Sequence, residues 1–175
     1  MKKLILVRHG QSVYNLQNRF TGWKDVDLTN KGIQEAHNAA ILLKDYRIDN
    51  SYTSNLKRAQ KTLSIILNDL KLDIPTINDE RLNERDYGSL VDQNKEEAAA
   101  KYGANQVQIW RRSYDIPPPD GESLEDTYNR CIPYFKKIFN LDANILISAH
   151  GNSIRAIVKY LFNLSEEDIL KTEIG

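Results

Sequence analysis

The chain has one cysteine, Cys131, in 175 residues, so no internal disulfide can form and the cytoplasm is the simplest compartment. It has no excess of either charge, with 24 Lys+Arg against 24 Asp+Glu, which removes any general attraction to nucleic acid or anionic membrane. No basic stripe or aromatic platform stands out, so a nucleic-acid binder is a poor reading. No apolar run is long enough to span a bilayer. The apolar residues after Met1-Lys2-Lys3 stop at Val7 and meet Arg8-His9, too short a run for an export segment. There is no repeat, no low-complexity tract and no linker, which leaves one domain over residues 1–175. Hydrophobic residues at 41% and charged residues at 27% suit a folded core rather than disorder.

The apolar residues that are present fall into an alternating order. Residues 3–7 and 145–149 read as buried strands, and 48–53 and 74–77 as weaker ones. Thr29 caps a predicted helix with Ile33, Ala36, Ala40 and Leu43 at helical spacing. Ser54 is expected to cap another, with Leu56, Ala59, Leu63, Ile66 and Leu70 on one face. Short helices are predicted over 96–102 and 106–112. A capping box at Ser123 and Asp126 opens a longer one, which Pro133 should kink or break. Residues 153–162 and a segment capped by Ser165 and Asp168 complete the helices. Residues 11–28 and 78–94 are polar, and the second stretch reads as a functional loop. Pro117-Pro118-Pro119-Asp120-Gly121 must be turn or loop. Strands alternating with helices predict an α/β fold, a three-layer sandwich around a mostly parallel sheet.

One pattern occurs twice: an apolar strand, then histidine, then glycine. Arg8-His9-Gly10 follows the first strand and His150-Gly151-Asn152-Ser153 the last. Ligands of open α/β sheets sit at the carboxyl ends of strands, so both histidines are aimed at that kind of place. The glycines let the backbone turn sharply and approach a ligand closely. A helix begins at Ser153, and its free N–H groups near His150 suit an anion. Two unrelated histidines, each hydrogen-bonded at a strand end, is the competing reading. A metal site is the weaker alternative, because no third ligand at metal spacing accompanies the pair.

Arg8, Arg58, Lys95, Arg111 and Arg112 are spread along the chain, and they point to a multiply anionic substrate only where they converge. Imidazole is a capable nucleophile at neutral pH, and a phosphorylated histidine divides phosphoryl transfer into two easier steps. Such a transfer also needs an acid to protonate a leaving alkoxide, or a base to take the proton of an attacking hydroxyl. Glu84 is the candidate, its bland alternative being a surface ion pair with Arg85 or Arg81.

Leu6-Val7-Arg8-His9-Gly10-Gln11-Ser12 resembles the signature of the histidine phosphatase superfamily. Asn18-Arg19-Phe20-Thr21-Gly22-Trp23, Tyr52 to Ala59, Leu82 to Gly88, Trp110-Arg111-Arg112 and Ala149 to Ala156 resemble one branch of it, the 2,3-bisphosphoglycerate-dependent phosphoglycerate mutases. The resemblance runs from Lys3 to about Ile174 and implies the family's fold. It implies that His9 is phosphorylated, that Arg8, Arg58 and His150 surround the transferring group, and that Glu84 gives and takes the proton. Asn15, Thr21, Gly22, Tyr87, Lys95, Arg111, Arg112, Gly151 and Asn152 would bind the substrate's phosphate and carboxylate. The implied reaction interconverts 3-phosphoglycerate and 2-phosphoglycerate, primed by 2,3-bisphosphoglycerate and without metal. The implied partners are the small-molecule substrate and further copies of the chain in a dimer or tetramer, with no nucleic acid or membrane. His37 matches no family site and reads as structural or surface.

Three departures qualify the match. The segment between Arg112 and Ser123 is short, as in a compact bacterial subgroup, which leaves the oligomeric state open. Asp92 stands where the family pattern has a glycine nearby, which would shift Lys95 slightly. The sequence stops at Glu173-Ile174-Gly175, where family members continue into a further strand and tail. That is an expected loss of cover that would turn a mutase toward phosphatase activity. A histidine phosphatase acting on a small phosphomonoester, and an inactive remnant that binds anions, are therefore the alternatives.

Overall fold

In a computed structural model, which describes residues 2–175, four strands form one parallel sheet in the order β1-β4-β2-β3. The strands are β1 (Leu4–Arg8), β2 (Asn50–Thr53), β3 (Thr76–Asn78) and β4 (Ile145–Ala149). All five residues of β4 are buried, as its unbroken apolar run requires of a central parallel strand. Its alternate residues serve two cores. Ile145, Ile147 and Ala149 face α6 (Leu124–Phe139) and α7 (Gly151–Phe162). Leu146 faces α2 (Asn30–Leu43) and α3 (Lys57–Asp69), and the Ser148 hydroxyl donates to the Ala59 carbonyl there (2.9 Å). The result is the three-layer α/β sandwich predicted. Each fully buried Leu, Ile or Phe contributes about 1.5–3 kcal/mol to it.

This order positions the site. The chain leaves β1 for α2 on one face and leaves the adjacent β4 for α7 on the other. The crevice between those two carboxyl ends is the switch point where such sheets take ligands. A small satellite core of Phe20, Leu90, Ala98 and Val107 carries α4 (Lys95–Tyr102) and α5 (Ala104–Arg112). A last short helix, α8 (Glu166–Lys171), packs Ile169 against Tyr114 and Leu124.

Several local expectations change. The stretch 11–28 contains a four-residue helix, α1 (Val13–Leu16), held by a capping box of Ser12 and Asn15 rather than by burial. Ser54 does not cap α3. Leu56 is the N-cap, without a side-chain bond, and Asp25 accepts the Lys57 N–H from across the fold (2.8 Å). The loop 78–94 contains two 3₁₀ turns, Glu80–Leu82 and Gly88–Leu90. Pro133 breaks nothing. It sits on the exposed face of α6, and the carbonyl it leaves unbonded belongs to exposed Asn129, where water can solvate it. Among the described residues no helix is long and apolar enough to cross a membrane.

Candidate active site

His9 continues β1 by one residue, its N–H bonding the Ala149 carbonyl at the end of β4 (3.0 Å). Its Nδ1 lies 2.7 Å from the Gly10 carbonyl, which can only accept, so the proton is on Nδ1 and Nε2 keeps a lone pair. Arg58 Nε donates toward that Nε2 at 3.4 Å. Burial, the Arg58 charge and, more weakly, Arg8 push the imidazole down to about 3, against the Gly10 hydrogen bond. His9 is therefore neutral and nucleophilic throughout the physiological range.

Arg58 rises from the first turn of α3 and is 1% exposed. Its Nη atoms bond carbonyls, Lys24 (2.9 Å) and Gly22 (2.8 Å), which aim the guanidinium without neutralising it. Burial lowers its pKa to about 10, so it stays charged and suited to an anion.

His150 follows β4 and is the N-cap of α7. Its ring centroid is 5.0 Å from that of His9, and it is 0% exposed. Nε2 pairs with the Ser54 hydroxyl (2.7 Å), and Nδ1 has no hydrogen-bond partner among the described residues. Burial, with the nearby Arg58 and His9, holds its pKa well below the usual histidine value. The expectation that both glycines serve ligand approach needs correction at Gly10. A Cβ there would lie 2.2 Å from the Gly32 carbonyl oxygen, so what approaches closely is the backbone of α2.

Glu84 is not a surface ion pair. Arg81 forks onto Asp79 (2.8 and 2.6 Å). Arg85 is buried and donates to the carbonyls of Glu122 (2.6 Å) and Trp110. It thereby caps the C-terminus of α5 with a cation. The Glu84 carboxylate lines the cleft and takes the N–H groups of Arg85 (2.8 Å) and Asn152 (3.1 Å), the latter at the N-terminus of α7.

The dispersed cations converge. One cleft is lined by Arg8, Arg58, Lys95, Arg111 and Arg112, together with Asn15, Thr21, Gly22, Tyr87, Gly151 and Asn152. Of the residues singled out from sequence, His150 alone does not reach its surface. Trp110 packs into the satellite core and holds the two arginines that follow it over the cleft. Burial lowers the Lys95 pKa, and Arg111, Arg8 and Arg112 add like-charge repulsion that an incoming anion would relieve. Asp92 adopts the glycine-like φ of 72°, held by the Tyr14 hydroxyl (2.6 Å) and Lys24 (3.2 Å), and Lys95 still lines the cleft. His37 bonds Asp69 across α2 and α3 (2.6 Å), a surface clasp.

Sequence reasoning missed Arg19, Phe20, Arg155, Glu173 and Ile174 in the lining. Arg155 carried a signal, since it lies four residues after Gly151 and three after Asn152, on one face of a helix. Arg19 and Phe20 stood beside Thr21 in a block already singled out, and Glu173 and Ile174 carried no signal. Glu173 reaches Arg112 (3.4 Å) and Arg155 (3.5 Å), and the Ile174 carbonyl accepts from Arg8 (2.9 Å).

Known proteins resemble this chain over nearly its whole length. A relative from Allorhizobium ampelinum, named 2,3-bisphosphoglycerate-dependent phosphoglycerate mutase, is 52% identical over 98% of this chain and 85% of its own. One of the same name from Cytophaga hutchinsonii is 51% identical over 100% of this chain and 84% of its own. Among solved structures, a mycobacterial glucosyl-3-phosphoglycerate phosphatase superposes with a TM-score of 0.87 at 25% identity, covering 99% of this chain and 86% of that one. The sequence pattern of the histidine phosphatase superfamily (branch 1) matches residues 4–175, and with His9 in a cationic cleft and His150 buried beside it the chain belongs to that superfamily.

Proposed function

We propose that this enzyme is a 2,3-bisphosphoglycerate-dependent phosphoglycerate mutase, interconverting 3-phosphoglycerate and 2-phosphoglycerate in glycolysis and gluconeogenesis, in the cytoplasm. The observation that carries the reading beyond the superfamily is the charge of the cleft. Seven cationic side chains line it against two carboxylates, and Lys95, Arg111 and Arg112 add to the pair, Arg8 and Arg58, closest to His9. A phosphomonoester needs only the charge around the transferring group. A substrate with a phosphate and a carboxylate uses the rest.

The geometry supports the following chemistry. His9 Nε2 attacks phosphorus, the bond from phosphorus to the substrate oxygen breaks, and Glu84 supplies a proton to the departing alkoxide. Arg8 and Arg58 carry the charge on the equatorial oxygens, and His150, whose Nδ1 has no partner among the described residues, stabilises the transition state. In the cycle, primed His9 gives its phosphoryl group to the free hydroxyl of 3-phosphoglycerate, whose proton Glu84 takes; after the resulting bisphosphate turns round, His9 Nε2 takes the other phosphoryl group and Glu84 returns the proton to the oxygen it leaves, giving 2-phosphoglycerate. The residues suit 2,3-bisphosphoglycerate, which when bound supplies the phosphoryl group that primes His9. Asn15, Thr21, Gly22, Tyr87, Gly151 and Asn152 orient the substrate.

The test is conversion of 3-phosphoglycerate with 2,3-bisphosphoglycerate and a chelator present, following 2-phosphoglycerate and free phosphate together. The expected result is 2-phosphoglycerate with little phosphate. Accumulating phosphate would contradict the mutase reading and favour a phosphatase.

A further inference from the structure

We infer that Arg130, with Glu122 and Trp23, is the positioning device for Glu84, holding its peptide so that the carboxylate enters the cleft. The inference rests on the role proposed above for Glu84. That residue lies in irregular backbone just after a 3₁₀ turn, and among the carbonyls of residues 80–84 only that of Glu80 accepts a backbone N–H, from Asn83 (2.8 Å). Four of them converge on the Arg130 guanidinium: Arg81 (3.1 Å), Glu80 and Glu84 (3.2 Å each) and Asn83 (3.3 Å). The guanidinium forks through Nε and Nη2 onto the Glu122 carboxylate, both at 2.8 Å. Glu122 in turn takes the Asp86 N–H on its carboxylate (3.0 Å) and gives its own N–H to the Asp86 carbonyl (2.8 Å). Glu84 is thus gripped on both sides.

Trp23 completes the grip. Its Nε1–H donates to the Glu84 carbonyl (2.6 Å), and its ring lies 5.4 Å from the Arg130 guanidinium. Arg130 is based on α6, whose neighbouring Cys131 and Phe135 are fully buried, so its base is rigid. Arginine suits the task because its planar fork can serve a carboxylate and several carbonyls at once. A lysine ammonium has only three donors at one point. None of the three residues lines the cleft, so their effect on turnover must pass through Glu84.

The experiment uses Trp23→Phe and Arg130→Lys, each alone and combined with Glu84→Gln. kcat and KM are measured for 3-phosphoglycerate conversion and for hydrolysis of p-nitrophenyl phosphate, with folding checked by circular dichroism. Trp23 is 36% exposed, so its replacement leaves the core intact even if Arg130→Lys weakens folding. Each single variant is expected to lower kcat roughly 10-fold, short of the roughly 100-fold loss for the carboxylate itself, with KM within about 2-fold. In the Glu84→Gln background neither should lower kcat further. Unchanged kcat in folded Trp23→Phe, or an equal fall in both backgrounds, would overturn the inference. Loss of phosphoglycerate conversion with the coupling intact on p-nitrophenyl phosphate would instead overturn the substrate assignment alone. A Glu84→Gln variant as fast as the parent on both substrates would remove Glu84 from the mechanism and the positioning role with it.

Discussion

His9 and His150 each follow a parallel strand and precede a glycine, and their rings stand 5.0 Å apart, yet only His9 reaches the cleft. The difference comes from neighbours rather than from the strands. The Gly10 carbonyl fixes the His9 tautomer and leaves Nε2 toward Arg58, whereas Ser54 occupies Nε2 of His150 and the ring is sealed behind. The glycines differ as well. Gly10 is required by the backbone of Gly32 at 2.2 Å, while a Cβ on Gly151 would meet nothing nearer than Glu84 at 3.8 Å. One repeated pattern thus places two histidines at the same switch point, and the side chains around them divide the work.

The division is broken most severely by replacing the rings. His9→Ala is expected to abolish phosphoenzyme formation from labelled 2,3-bisphosphoglycerate. His150→Ala should slow it by roughly 100- to 1,000-fold, the scale of one lost transition-state donor, while label still attaches. Equal and complete loss in both would make the corners equivalent. The glycines sharpen the comparison next. Gly10→Ala should destabilise the fold by about 3 kcal/mol through overpacking against backbone, and Gly151→Ala by no more than about 0.5 kcal/mol, read from urea midpoints.

The smallest effect is a titration that should not occur. Burial moves His9 from 6.5 to about 3 and His150 in the same direction, so below about pH 6.5 the unfolded chain binds more protons than the folded one. The stability these rings contribute is therefore full above about pH 6.5 and is lost as pH falls toward the depressed folded values. In NMR spectra of nitrogen-labelled histidine, His9 should stay neutral with its proton on Nδ1 from about pH 8 to about pH 5. A midpoint near that of free imidazole would show the site to be wetter than the geometry implies.

How much of this was legible depended on whether a signal was local. The strand at Ile145–Ala149 was readable to the residue because a fully buried strand is a continuous apolar run. The caps at Thr29, Ser123 and Ser165 were readable because each bonds within its own turn. Helix α1 was hidden because it buries nothing. Ser54 was misread because Asp25, thirty-two residues from Lys57 in sequence, accepts the first N–H of α3, while the Ser54 hydroxyl takes the Leu56 N–H just outside the helix and pairs with His150. The residues of the candidate site were nameable one by one from their motifs. Their convergence was not, because Arg8, Lys95 and Arg111 meet only through the sheet order and the satellite core. Arg130 and Trp23 were invisible as a pair for the same reason.

The most direct test of the account is to phosphorylate the chain with 2,3-bisphosphoglycerate and locate the group by phosphorus–nitrogen coupling in NMR of nitrogen-labelled histidine. The account predicts a single phosphoryl group on Nε2 of His9, with His150 unmodified. A group on Nδ1 of His9, or on His150 or His37, would contradict it.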